Sequence, residues 1–126
     1  MTIRSITLLK RRPGMSKAAF RDYYETHHRL IGEKVLGGFA TRYVRHFLTP
    51  VDGADGDYDP DAILEIEFPN EAAMQACFAA MAEPALQAEI AADEEKLFDR
   101  SRIRTFSVSE SASDLPVPLT IGRFAP

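Results

Sequence analysis

The chain has 126 residues, 45% hydrophobic and 27% charged, which fits one globular domain and excludes a disordered polyelectrolyte. No apolar run approaches the ~18 residues that cross a bilayer, the N-terminus has no secretory h-region, and a lone Cys77 excludes an internal disulfide framework. A cytoplasmic location with no membrane partner is therefore expected. The formal net charge of −4 conceals a split, with +7 over residues 1–50, −13 over residues 51–99 and +2 over residues 100–126. A net-acidic chain neutralises nucleic-acid phosphates poorly, so no nucleic-acid partner is expected, and the two regions should neutralise each other on folding.

Ile3 to Leu9 is a short run with β-branched residues, stopped by Arg11-Arg12-Pro13-Gly14, and predicts a first strand followed by a turn. Ser16 can cap the helix that follows. Phe20, Tyr24, His27, Ile31 and Val35 recur at helical spacing, and Gly37-Gly38 ends the segment. Phe39 to Leu48 predicts a second strand, with Phe39, Thr41, Tyr43, Arg45 and Phe47 on one face and Ala40, Arg42, Val44, His46 and Leu48 on the other. The stretch TPVDGADGDYDPD predicts an exposed acidic loop.

Asp61 to Phe68 alternates as a third strand, with Ala62, Leu64, Ile66 and Phe68 on one side and Glu65 and Glu67 on the other. Pro69-Asn70 opens a second helical region, which Pro84 breaks before Ala85 to Phe98 resumes. Ile103 to Ser109 predicts the last strand, and residues 111–126, with three prolines, predict an extended arm beyond a domain spanning 1–110. The order is β-α-β-β-α-β. This is an α+β, ferredoxin-like fold with a four-stranded antiparallel sheet and its helices on one face. Val44, Leu48 and Ile63 fall on the other face, so a two-fold partner pressed against the sheet is expected. On that face Arg42 and His46 should pair with Glu65 and Glu67 across the strands.

The first helix carries the densest chemistry, Tyr23-Tyr24-Glu25-Thr26-His27-His28. At ~100° per residue His27 falls about 20° from Phe20 and His28 about 80° away, so periodicity buries His27 and leaves His28 at the rim. Either histidine suits acid–base work near neutral pH, and either can equally be a packed or hydrogen-bonded helix residue. Tyr43 and Arg45 share a strand face with Phe39 and Phe47. There they can hold a carbonyl, carboxylate or enolate oxygen, or serve as a core hydroxyl and an edge cation. Asp99 is a candidate second acid or a turn residue. Asp55, Asp57, Asp59 and Asp61 mimic alternate calcium ligands, but Pro60 stands where glycine is required and Ile66 where the final glutamate is. The strand DAILEIEF lacks the aromatic pair of RNA-binding sheets, and Cys77 sits in an Ala/Met/Phe helix as a small apolar residue. No metal site is expected.

The segment FRDYYETHHRLI, preceded by KRRPGMS, resembles the EthD family of the dimeric α/β-barrel superfamily. Phe20, Tyr23, Tyr24 and His28 match the pattern F-x-x-Y-[WY]-x-x-x-H in register, while Leu30-Ile31 departs from the Pro-Leu that often follows. The strand DAILEIEF and the segment KLFDRSRIRTFSVSE are similar to the family's second half. The resemblance implies a homodimer whose sheets pack into a barrel, a pocket in each subunit between sheet and helices, and His28 as the pocket histidine. Relatives in the superfamily include muconolactone isomerases, polyketide cyclases, dehydratases and cofactor-free oxygenases, and some members bind haem. Ile66 stands where the methylmuconolactone-isomerase relatives carry a pocket cysteine, so their route is not expected here.

These lines lead to one expectation: a small cofactor-independent enzyme of lyase or isomerase type. His28 would shuttle a proton beside a carbonyl, with Tyr43 and Arg45 stabilising the oxygen. Phe20, Tyr24, His27, Phe39, Phe47 and Asp99 would bound a site for an aromatic, lactone or polyketide-like molecule. The alternatives are a non-catalytic module that binds a hydrophobic ligand or assists a catabolic oxygenase, and a haem-binding member of the superfamily.

Overall fold

The computed structural model describes residues 1–119; the segment 120–126 of the expected arm lies outside them. Strand β1 (Ile3–Leu9) pairs with β3 (Ala62–Phe68) on one side and β4 (Arg104–Ser107) on the other, and β2 (Arg42–Phe47) completes the far edge. All pairings are antiparallel and the order is β2-β3-β1-β4, the ferredoxin-like arrangement. The helices are α1 (Lys17–Tyr23), α2 (Arg29–Leu36), α3 (Glu71–Met81) and α4 (Pro84–Leu97).

Local chemistry explains where the elements start and stop. Gly14 takes φ +84°, the left-handed turn that glycine permits at no steric cost. The Ser16 hydroxyl then accepts the Ala19 N–H at 3.1 Å to open α1. Asn70 does the same for α3 through the Ala73 N–H at 2.8 Å. Pro84 is the first residue of α4 rather than a kink within one helix. It has no N–H to lose there, and the Glu83 carboxylate accepts from Ala85 and Leu86 at 3.1 and 2.9 Å.

Strands β2 and β4 are shorter than the apolar runs that predict them. Phe39 and Ala40 turn back onto Leu36 through backbone bonds of 3.0 Å, so pairing begins only at Arg42. From Val108 to Leu119 the chain has neither helix nor strand.

Two apolar clusters sit between sheet and helices. One gathers Leu9, Phe20, Tyr24, Ala62, Leu97 and Phe98; the other gathers Leu36, Phe68 and Cys77. The charge split closes as expected. Arg4 and Arg42 lie 3.3 to 3.5 Å from Glu65 and Glu67 on the outer sheet face, and His46 lies 3.1 Å from Glu65. The acidic loop is tied down by Asp61, which is buried and accepts from the Arg11 backbone N–H at 2.9 Å and its guanidinium at 3.3 Å. Among the described residues no helix is long and apolar enough to cross a membrane.

Candidate functional site

A single turn of backbone decides which histidine faces inward. Between α1 and α2, Tyr24–His28 forms a π-helical turn, which closes from residue i to i+5. The wider turn takes up one extra residue and moves the inward face on by about one position. The expectation that His27 is buried is therefore corrected. His27 is exposed, stacks on Tyr23 with centroids 4.6 Å apart, and its Nδ1 lies 2.8 Å from the Thr26 hydroxyl. His28 turns inward instead, its side chain only 12% exposed.

Inside, His28 meets α4. Its Nδ1 lies 2.8 Å from Asp93 Oδ2, and the Tyr23 hydroxyl donates to Asp93 Oδ1 at 2.5 Å. Tyr24 and Phe98 hold the imidazole edge-on, each with ring centroids 5.2 Å away. Burial opposes ionisation of Asp93, but the bonds from Tyr23 and His28, with the His28 and Lys96 charges, outweigh it and hold the carboxyl below its usual range. Burial, then the neighbouring Asp93, pushes the Tyr23 hydroxyl up to about 12. Near neutral pH Tyr23 thus keeps its proton and donates, while Asp93 is ionised and accepts twice. Nδ1 of His28 therefore carries a proton toward Asp93, and in the neutral form of the imidazole the Nε2 lone pair is left free. Among the described residues Nε2 has no hydrogen-bond partner.

His28 lines a cavity of about 260 Å³ that separates the two apolar clusters. Its floor is the inner sheet face, with Ser5, Thr7, Leu64, Ile66, Phe68, Ile103 and Thr105. Tyr24, Leu36, Phe78, Met81, Glu94 and Phe98 come from the helices and the segment after α4. The lining is mostly apolar, with a histidine on one wall and three hydroxyl residues on the floor. Thr7 and Thr105 hydroxyls bond to each other at 2.8 Å. Such a chamber sets one base against an apolar wall and offers a small molecule a few polar contacts.

The remaining expected residues are distributed around this chamber. Tyr24 is a wall. Phe20 stands behind it, in edge contact with Tyr24, Phe47 and Phe98 at 6.1, 6.2 and 5.9 Å, and Phe47 likewise backs Tyr24 at 5.8 Å. Phe39 packs with the Leu36–Phe68 cluster.

Tyr43 does not line the chamber; its hydroxyl lies 3.4 Å from that of Tyr24, under Gly32. Burial, opposed by the Tyr24 bond and by Arg45, raises the Tyr43 hydroxyl, and burial raises that of Tyr24 further. Arg45 turns away to a two-point pair with Glu25, both contacts 3.0 Å, because that carboxylate sits on the same side of the π-helical turn. Asp99 caps the short 3₁₀ turn Arg100–Arg102, accepting from the Ser101 N–H and hydroxyl at 3.2 and 2.6 Å. Among the described residues no three His, Cys, Asp or Glu side chains converge to hold a metal ion.

Asp93 is the residue that sequence reasoning missed, although a signal was present. Leu86, Ile90, Asp93 and Leu97 fall at i, i+4, i+7 and i+11, so an aspartate occupies the apolar stripe of α4. A charge placed there must be paired when buried, and its partner is His28.

A model of the EthD domain matches residues 12–101. Among solved structures, an ethyl tert-butyl ether D (EthD) family protein from Bacillus halodurans C-125 superposes with a TM-score of 0.62 at 16% identity, covering 88% of this chain and all of that one. A NIPSNAP-like domain protein from Burkholderia xenovorans gives 0.58 at 16% identity over 93% and 91% of the two chains. An EthD-like protein from Ralstonia eutropha JMP134 gives 0.54 at 19% identity over 85% and 87%. At these identities the likeness speaks for the fold alone. No curated protein matches the sequence significantly. The family model spans the first helix, the site histidine and Asp93, and more than half of the chain, which therefore belongs to the EthD family.

Proposed function

We propose that this chain is a small proton-transfer enzyme of lyase or isomerase type, acting on an apolar carbonyl compound such as an aromatic, lactone or polyketide-like molecule. The observation that carries this reading is His28 itself. Its Nδ1 is held by a buried, ionised Asp93, which leaves Nε2 free as a base beside an apolar cavity of about 260 Å³. Removing a proton next to a carbonyl needs a positioned base and a dry wall, and these side chains supply both without a bound cofactor. Ser5, Thr7 or Thr105 on the floor takes the place expected of Tyr43 and Arg45, offering a hydroxyl to the developing enolate oxygen. Reprotonation at a second carbon gives an isomerase, and expulsion of a β-leaving group gives a lyase.

The outer sheet face supports a homodimer, since Ile6, Leu48, Ile63 and Val108 gather there around the Arg4–Glu65 pair. The experiment is deuterium incorporation from D2O into a panel of small enolisable ketones and lactones, read by mass spectrometry. Wild-type chain should exchange the α-hydrogens of at least one compound, and His28→Gln should lose the exchange while retaining its fold. Exchange that persists in His28→Gln contradicts the proposal.

A second reading, a non-catalytic carrier of a small hydrophobic ligand, is favoured by one observation. Tyr43 and Arg45 satisfy their polar groups on Tyr24 and Glu25, away from the cavity. Under that reading a ligand binds with no α-exchange, and His28→Gln leaves its affinity unchanged.

A further inference from the structure

Helices α3 and α4 carry a second groove that the proton-transfer site does not use. On α4 the residues Gln87, Ile90, Ala91 and Glu94 repeat at i, i+3, i+4 and i+7, a stripe that lies beside the Leu86–Ile90–Asp93–Leu97 stripe and shares Ile90 with it. They face Phe78 and Met81 on the last turn of α3 and Ala82 just after it, again at i, i+3 and i+4, and the two stripes bound about 390 Å³. Phe78, Met81 and Glu94 also line the His28 cavity, so the two spaces adjoin across a neck made of these three side chains. Phe78 is half exposed, so its ring offers an apolar face to the groove. Gln87, near the start of α4, and Arg100, which pairs with Glu95 at 3.5 Å beyond its last turn, stand at opposite ends of the groove, and Glu94 lies between them.

We infer that the substrate is an elongated molecule in two parts: a compact carbonyl or enol head in the His28 cavity, and an unbranched apolar chain that passes the Phe78–Met81 neck and lies in the α3–α4 groove. This rests on the proposed site at His28 and adds to it the class of substituent. The cavity of about 260 Å³ suits a compact ring system as the head, and the groove beside it offers about 390 Å³ for a chain. Glu94 at the neck keeps one charged edge on an otherwise apolar passage, so the chain segment crossing there is neutral. An anionic group at that point would face its carboxylate.

The test is isothermal titration of phenol and of 4-alkylphenols from ethyl to hexyl, with the phenolic ring standing for a planar enol head. Phenol itself should bind and should lose its affinity in His28→Ala. Along the series affinity should rise about two- to fourfold per methylene, the upper value corresponding to about 0.8 kcal/mol for full burial of each CH2. Two groove variants, Gln87→Trp and Ala82→Trp, place bulk at exposed positions and should leave phenol binding unchanged while flattening the series. If phenol does not bind, or binds equally well to His28→Ala, the site at His28 is overturned and the chain subsite with it. If phenol binds but the series is flat in the wild type, or stays steep in both tryptophan variants, only the extension into the groove is overturned.

Discussion

Replacing Asp93 with asparagine changes one atom in shape and removes the charge on which the His28 geometry depends. In the wild type the carboxylate accepts from Tyr23 at 2.5 Å and from His28 at 2.8 Å, and the side chain is 11% exposed. An asparagine can present its oxygen to only one of the two. If the oxygen faces Tyr23, the amide N–H faces His28 Nδ1, which must then accept, and the imidazole proton moves to Nε2 inside the cavity. If it faces His28, the tautomer survives but Tyr23 must become the acceptor and the charge that favours an imidazolium is gone.

A hydrogen bond to a charged group contributes about 1.5–3 kcal/mol against about 1 kcal/mol for a neutral one, so converting two should cost roughly 2 kcal/mol. For a chain of this size that lowers Tm by about 6–10 °C. The α-exchange rate should fall by about a hundredfold or more, the contribution of a positioned general base. Thermal melts followed by circular dichroism read the first effect, and mass-spectrometric exchange the second. A variant that melts within 2 °C of wild type, a bound on the order of 1 kcal/mol or less, and exchanges at the same rate would refute the dyad.

Three further outcomes follow from the packing around the site and the strand beside it. A β-carbon at Gly32 would lie 2.6 Å from Tyr43 Cζ, so Gly32→Ala should lower stability by about 1–2 kcal/mol in urea melts despite alanine's better helix propensity. Because the Asp93 carboxyl is held below its ordinary value of 3.8, the stability it contributes is present above that value and lost as pH falls through its lower folded value; Asp93→Asn should flatten this acid limb in pH-dependent melts. The Tyr23 hydroxyl moves the opposite way, from 10.0 to about 12, so its contribution is present below pH 10 and lost on approach to pH 12, and Tyr23→Phe should soften the alkaline limb.

The strands and the helix caps were legible because each rests on local chemistry. Alternation marks β3, Ser16 and Asn70 open helices, and Gly37-Gly38 closes one. The cross-strand set Arg42, His46, Glu65 and Glu67 was legible for the same reason, since alternation and antiparallel register fix which side chains share a face. The site was only partly so. A helical wheel assumes one constant turn, and the π-helical turn at Tyr24–His28 breaks that assumption where the chemistry lies, placing His28 rather than His27 inward.

The family pattern pointed to the histidine that faces inward, without the reason for it. Tyr43 and Arg45 do lie on the inner sheet face as alternation requires, but Glu25 and Gly32 on the helix above draw their tips away from the cavity. No periodicity encodes that pull. Asp93 stood on an apolar stripe and needed only the rule that a buried charge has a partner.

The central claim is that His28 presents an unprotonated Nε2 to the cavity because Asp93 holds its Nδ1. Nitrogen NMR of the imidazole, recorded on folded chain at a pH where His28 is neutral, reads the tautomer directly. The account predicts a proton on Nδ1 in the wild type, loss of that preference in Asp93→Asn, and an Nε2 resonance that shifts when phenol is added. A proton found on Nε2 of the wild type, or an Nε2 signal indifferent to a bound ligand, would contradict it.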